Sequence, residues 1–228
     1  MPVISIANPK GGAGKSTVSL LLGTVFASQG ATASILDCDP NQPIRHWSDG
    51  PSKNAVRIRG GLSESQIVPV IDEERLERQI VIVDLEGTAS RMVSRSITRS
   101  DLVLIPMQAS AVDAAQAARA VGLVREEEQV IGRKIPLRIL FTRTSPQIPT
   151  RNERLIIDEL RTAGIPLLET HLNERAAYKS IFTYRLALDE LDPLAVNGID
   201  GAIGNAYRLA NEVVDVLKAL ADAKRVAA

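Results

Sequence analysis

Lys10-Gly11-Gly12-Ala13-Gly14-Lys15-Ser16-Thr17 is the stretch on which the reading of this chain turns. It follows a short β-rich run, Val3 to Ala7, and precedes an uncharged helical stretch from Ser16 to Gln29. In a strand–loop–helix setting, glycines let the backbone turn sharply and aim successive N–H groups at phosphate oxygens. The positive end of the following helix adds to that attraction. Gly11, Gly12, Ala13, Gly14, Lys15, Ser16 and Thr17 are therefore expected to cradle a nucleotide. Lys15 would reach the β- and γ-phosphates, and the Ser16 hydroxyl would bind Mg²⁺.

Outward from the loop, short apolar runs alternate with helical stretches. Ala33–Leu36, Ala55–Ile58, Ile80–Val83, Leu102–Ile105, Leu137–Phe141 and Pro166–Leu168 read as further strands. Helices are expected around Glu64–Arg78, Ala111–Val130 and Asn152–Ala163, with a helical chain from Asn173 to the end. In the last of these, Ile203, Tyr207, Ala210, Val214 and Leu217 repeat at the 3- and 4-residue spacing of a buried stripe. The alternation predicts an α/β fold, a mainly parallel doubly wound sheet with helices on both faces. No linker or repeat divides the 228 residues, so one domain over 1–228 is expected.

Composition narrows the classes. Aromatics make up only 3% of the chain, so Val, Ile, Leu and Ala must build the core. The 27 basic and 27 acidic side chains cancel, so any nucleic-acid binding must come from a local patch. A single cysteine, Cys38, excludes an internal disulfide and suits a reducing cytoplasm. Ser16–Leu36 mimics a signal peptide, but polar residues interrupt it and its flanking lysines belong to the loop.

The loop departs from the plain G-x-x-x-x-G-K-[ST] rule at Pro9, and Lys10 stands next to it. It resembles the deviant Walker A motif of ParA/MinD-type ATPases. That resemblance implies ATP and Mg²⁺ as cofactors and an ATP-sandwiched homodimer, in which Lys10 reaches the partner's nucleotide much as an arginine finger does. Asp37-Cys38-Asp39-Pro40 resembles the family's D-x-D-P switch, implying that Asp37 supports the Mg²⁺ water shell and Asp39 orients the attacking water. Asp84 closes an apolar run as a Walker B carboxylate does, next to the metal. Asp84-Leu85-Glu86-Gly87 fits D-x-x-G where many relatives carry D-x-P-P. Thr142 and Arg143 occupy the place where relatives contact adenine, and the absence of an Asn-Lys-x-Asp motif favours ATP over GTP.

Within the family, the lone cysteine excludes the cysteine-dependent branches, and the tail's balanced charges argue against a MinD-like membrane helix. Asp37 to Pro43 followed by Trp47, and Asn173 to Tyr178, look similar to short plasmid ParA proteins and to the VirC-type ATPase of T-DNA transfer. The implied activity is slow ATP hydrolysis stimulated by a ParB-like or relaxosome-type partner, in partition or DNA transfer or in positioning a cargo. The implied location is cytoplasmic and nucleoid-associated, away from membranes.

Short ParA relatives hold DNA backbone with basic residues near the last strand and the C-terminal helices. Arg175 and Lys179 match that place, with Lys218, Lys224 and Arg225 as an extension. Arg91, Arg95 and Arg99 form a second stripe in the acid-free stretch from Gly87 to Ser100. Non-specific DNA binding has Kd ~10⁻⁴–10⁻⁶ M at physiological salt. Two linked patches on one dimer gain roughly 10²–10⁴ in avidity. ATP-dependent dimerisation would thereby switch DNA binding on.

Overall fold

A computed structural model of the chain describes residues 1–87, 90–146 and 150–226. Thr88 and Ala89, within the acid-free stretch, lie outside those residues. In chain order the elements are β1 (Val3–Ile6), α1 (Lys15–Ser28), β2 (Ala33–Asp37), α2 (Pro43–Ser48), β3 (Arg57–Arg59), α3 (Ile67–Glu77), β4 (Ile80–Asp84), α4 (Arg91–Arg99), β5 (Leu102–Met107), α5 (Ala111–Ile131), β6 (Leu137–Thr144), α6 (Arg151–Thr162), β7 (Leu172–Asn173), α7 (Ala176–Tyr184) and α8 (Ile199–Val226). The strands form one sheet in the order β3-β2-β4-β1-β5-β6-β7, and every pairing is parallel.

The strands are apolar throughout because both faces are covered, and alternate residues serve opposite sides. Ile4, Ile6, Ile35, Ile82 and Leu104 pack with α1, α7 and α8. Val3, Leu36, Val81, Val83 and Ile105 pack with α3, α4, α5 and α6. Ala202, Ala206, Leu209, Ala210 and Val213 of α8 are fully buried, whereas Ile203, Tyr207, Val214 and Leu217 are only partly buried at the rim of that contact. The buried stripe thus shares Ala210 with the one the spacing predicted and otherwise centres one position earlier.

Two expectations need correction. Pro166–Leu168 forms only an isolated bridge, Leu167 to Ile139, and the edge strand is β7. Nor is the chain continuously helical after Asn173. Between α7 and α8 it runs through Arg185 in the left-handed conformation (φ 54°), a 3₁₀ turn at Leu188–Glu190 and Pro193 before resuming at Ile199. Pro193 lacks the N–H needed to propagate a helix, and Gly198 at φ 72° reverses the backbone.

The β3 edge is held by charge. Glu74 of α3 is fully buried, and its carboxylate lies 3.4 Å from Arg57 Nε, 3.1 Å from an Arg59 guanidinium nitrogen and 3.4 Å from Arg78 Nε. Removing one partner of a buried ion pair typically costs 3–5 kcal/mol, but the three arginines are partly exposed and water can screen them. Glu74→Ala is therefore expected to lose about 2 kcal/mol of unfolding free energy, read by urea denaturation. A change below the error of that measurement would show the cluster to be neutral.

Candidate nucleotide-binding site

The loops leaving the carboxyl ends of β1, β2 and β4 open on one edge of the sheet, where parallel α/β proteins bind ligands. Helix α1 starts at Lys15, immediately after Gly14 at φ 96°, a conformation strained for any residue with a Cβ. The loop is braced from both sides. Asn8 Nδ2 donates to the Pro106 carbonyl of β5 (2.7 Å), and Asn8 Oδ1 accepts from the Lys10 amide (2.8 Å). Thr142 Oγ1 of β6 donates to the Ala13 carbonyl at 3.0 Å. Lys15 Nζ folds back to the Lys10 carbonyl (3.2 Å) and is almost fully buried. Burial lowers its pKa, while Asp84, Asp39 and Glu86 pull it back up.

Register brings the acids together. β2 and β4 pair so that Asp37 stands opposite Asp84, 47 residues away in sequence. Asp84 is fully buried and accepts from Ser19 Oγ at 2.9 Å. Burial pushes its pKa up to about 7. The nearby Ser16 hydroxyl works against that shift, the Asp37 charge adds to it, and Ser19 and Lys15 oppose it. Its Oδ2 is buried with no hydrogen-bond partner. A cation beside Ser16 would satisfy that orphaned oxygen. No cluster of three or more His, Cys, Asp or Glu fit to hold a metal occurs among the described residues.

Asp37 has other partners. Its Oδ2 accepts from the Ile44 and Arg45 amides (2.9 and 2.8 Å), and its Oδ1 accepts from the Asp39 amide at 3.2 Å. The carboxylate thus caps α2, a helix the sequence reading did not anticipate. Burial raises the Asp37 pKa, and the backbone bonds from Arg45, Asp39 and Ile44 oppose that rise. Asp39 is half-buried and is oriented by the Asn41 amide, which donates to its Oδ1 at 2.8 Å.

A cavity of about 560 Å³ opens above the loop, walled by Gly11, Gly12, Gly14, Lys15, Ser16, Thr17, Asp39, Glu86, Gly87 and Arg143, among others. Gly87 packs so tightly that a Cβ there would sit 3.2 Å from the Pro9 carbonyl oxygen. Arg143 occupies a register shift in the β6–β7 pairing at φ 54°, and such bulges commonly re-aim a side chain beside a site. Thr142 is 2% exposed and engaged beneath the loop, and it lines an adjoining pocket with Gly14, Thr17 and Arg143. Sequence reasoning passed over Phe182 of α7, which lines the cavity, and Asn8, Ser19 and Asp113. Only Ser110-x-x-Asp113 left a signal, and it reads as a helix cap. An apolar groove of about 570 Å³ lies under the end of α8, remote from the glycine loop.

Lys10 lies outside the cavity wall, and its Nζ pairs with Asp113 Oδ2 at 2.8 Å. The basic residues expected to bind DNA are scattered, and most stand beside an acid. Lys179 pairs with Glu174 (3.1 Å), Lys218 with Asp215 (3.9 Å), Lys224 with Asp101 (3.1 Å) and Arg225 with Asp222 (3.7 Å). Arg175 lies against Gly201 at the start of α8, and its Nε is buried without a partner. At a rise of 1.5 Å per residue, Lys218 stands about 25 Å along α8 from that point and Lys224 about 35 Å. One protomer therefore does not join Arg175 and Lys179 to Lys218, Lys224 and Arg225 in a single patch. In the second stripe, Arg95 donates to the Glu64 carbonyl and Arg99 lies 3.6 Å from Asp72.

An all-parallel sheet with a glycine-rich, two-lysine loop after β1 and carboxylates ending β2 and β4 defines a P-loop nucleotide-binding protein of the ParA/MinD type. The chain belongs to the VirC1 family, whose model, described as VirC1 protein, matches residues 1–227. It is 40% identical over 226 residues to Protein ParA of Rhizobium radiobacter, covering 99% of this chain and 100% of that one. It is 26% identical over 191 residues to Protein virC1 of Rhizobium rhizogenes, covering 79% and 80%. The fold matches an ATP complex of Cyanothece McdA with a TM-score of 0.74 at 17% identity, covering 93% of this chain and 96% of that one. No helix among the described residues is long and apolar enough to cross a membrane.

Proposed function

We propose that the chain is an ATPase that dimerises around ATP, binds DNA without strong sequence preference and acts in plasmid or chromosome partition with a ParB-like partner. The observation that carries this reading is the division of labour on one loop. Lys15 lines the cavity beside Asp84, and Lys10 stands outside it. On this reading one lysine would meet the protomer's own triphosphate, and the other would be left for a second subunit's. Mg²⁺ would be held by Ser16 and Asp84, with Asp37 keeping α2 and the Asp39 segment in place. The metal would offset charge on the phosphates. Asp39 would orient the attacking water. Arg143 would meet the base, and Arg175 and Lys179 the DNA, the latter once dimerisation or ligand binding loosens its ion pair.

The testing experiment is to size the protein with ATP, ADP and no nucleotide, with and without random-sequence duplex. The reading expects a dimer with ATP alone and DNA retention by that dimer at low salt. A monomer under every condition would overturn it, and equal retention with ATP and ADP would remove the DNA half. Asp39→Ala is expected to keep the ATP dimer but slow phosphate release about 10²-fold, as loss of a water-positioning group does. Unchanged steady-state release would remove Asp39 from the chemistry. The family match also favours a second reading, a VirC-type ATPase that promotes DNA transfer with relaxosome proteins. Stimulation of hydrolysis by a purified relaxase complex but not by a centromere-binding protein would select it.

A further inference from the structure

The ion pair made by Lys10 has a consequence that rests on the dimer reading above. Lys10 Nζ is 2.8 Å from Asp113 Oδ2, with the lysine side chain one-third exposed and the aspartate side chain 2% exposed. The other carboxylate oxygen, Asp113 Oδ1, is buried with no hydrogen-bond partner. Asp113 stands in the first turn of α5, where Ser110 caps the helix and also bonds the carboxylate. The Lys10 backbone is fixed by Asn8, which is itself bonded to Pro106 at the end of β5. Both ends of the lysine are therefore tied to the β5–α5 segment of its own protomer.

A buried carboxylate that loses its only cation is left uncompensated, and that is the costly way to break a buried pair. The geometry points to Asp113 as the positioning residue that holds Lys10 back in its own subunit until a nucleotide triphosphate on a partner outcompetes it. Lys10 can cross a dimer interface only by leaving or sharing this carboxylate. The negative charge of a second subunit's bound triphosphate is the kind of group able to draw it away. Asp113 touches no cavity wall, so it acts through Lys10 and not on the nucleotide.

The test uses Asp113→Asn in the full chain, which keeps the size of the side chain and a hydrogen bond to Ser110 but removes the charge. In nucleotide-free protein, acetic anhydride should acetylate Lys10 several-fold faster in Asp113→Asn than in wild type, with exposed Lys218 as internal reference and mass spectrometry as readout. With saturating MgATP, the protein concentration for half-dimerisation, measured by analytical ultracentrifugation, should fall about 10-fold in Asp113→Asn. Glu127→Gln removes an acid from the same helix fourteen residues away, where its partner is Ser94, and it should move neither quantity. Equal Lys10 labelling, equal dimerisation midpoints, or a Glu127→Gln variant that reproduces the shift would each overturn the inference. A wild type that never dimerises with ATP would instead fell the sandwich reading itself.

Discussion

Lys10→Ala is expected to bind ATP with nearly wild-type affinity and to hydrolyse it about 10³-fold more slowly, the loss seen when a charge supplied in trans to a phosphoryl transition state is removed. Lys10 is not on the wall of the cavity, so a protomer's ground-state grip on its own ATP does not depend on it. Under the proposed reading its ammonium meets charge that develops on the partner's phosphates, and groups that act mainly in the transition state lower turnover more than binding. The assignment can be separated from a role within one subunit by mixing variants. In a heterodimer of Lys10→Ala and Asp39→Ala, trans action leaves one site complete, and phosphate release should return. Action within one subunit leaves none complete, and the mixture should stay inactive. Normal turnover by Lys10→Ala alone would end the assignment.

Lys15→Ala is expected to raise the Kd for ATP at least about 10²-fold, equivalent to about 3 kcal/mol, from the loss of charge-assisted hydrogen bonds to two phosphates. The electrostatics add to the effect. Asp84, Asp39 and Glu86 all act on Lys15, and removing it leaves three acids facing an anionic ligand. Titration with a fluorescent ATP analogue checks the prediction. A thermal melt of the nucleotide-free variant controls for folding, because Lys15 is almost fully buried and donates to the Lys10 carbonyl. Affinity within a few-fold of wild type would mean that the glycine loop's amides hold the phosphates without it.

Much of the molecule was legible because its signals are local. The loop carries its chemistry in eight consecutive residues, and apolar runs such as Ile80–Val83 announce buried parallel strands by composition alone. Helix α2 was not legible, because its cap is Asp37, several residues upstream and on another element. The surroundings of the basic residues were not legible either. Lys179, Lys218, Lys224 and Arg225 look like free cations in a sequence, and each has an acid within 4 Å in the fold. Arg175 and Lys224 are easily grouped as C-terminal, but they stand at opposite ends of α8.

The residues by themselves determined the α/β class, the phosphate-binding loop and the identity of the acids that end β2 and β4, since each is written in neighbouring side chains and short-range periodicity. Tertiary structure alone decided that Asp37 and Asp84 stand side by side, that Asp84 keeps a buried oxygen without a partner, that Thr142 braces the loop from below, and that Lys10 meets Asp113. Those are contacts between segments up to 129 residues apart. Their distances and burial follow from strand order and register, which short-range patterns do not encode.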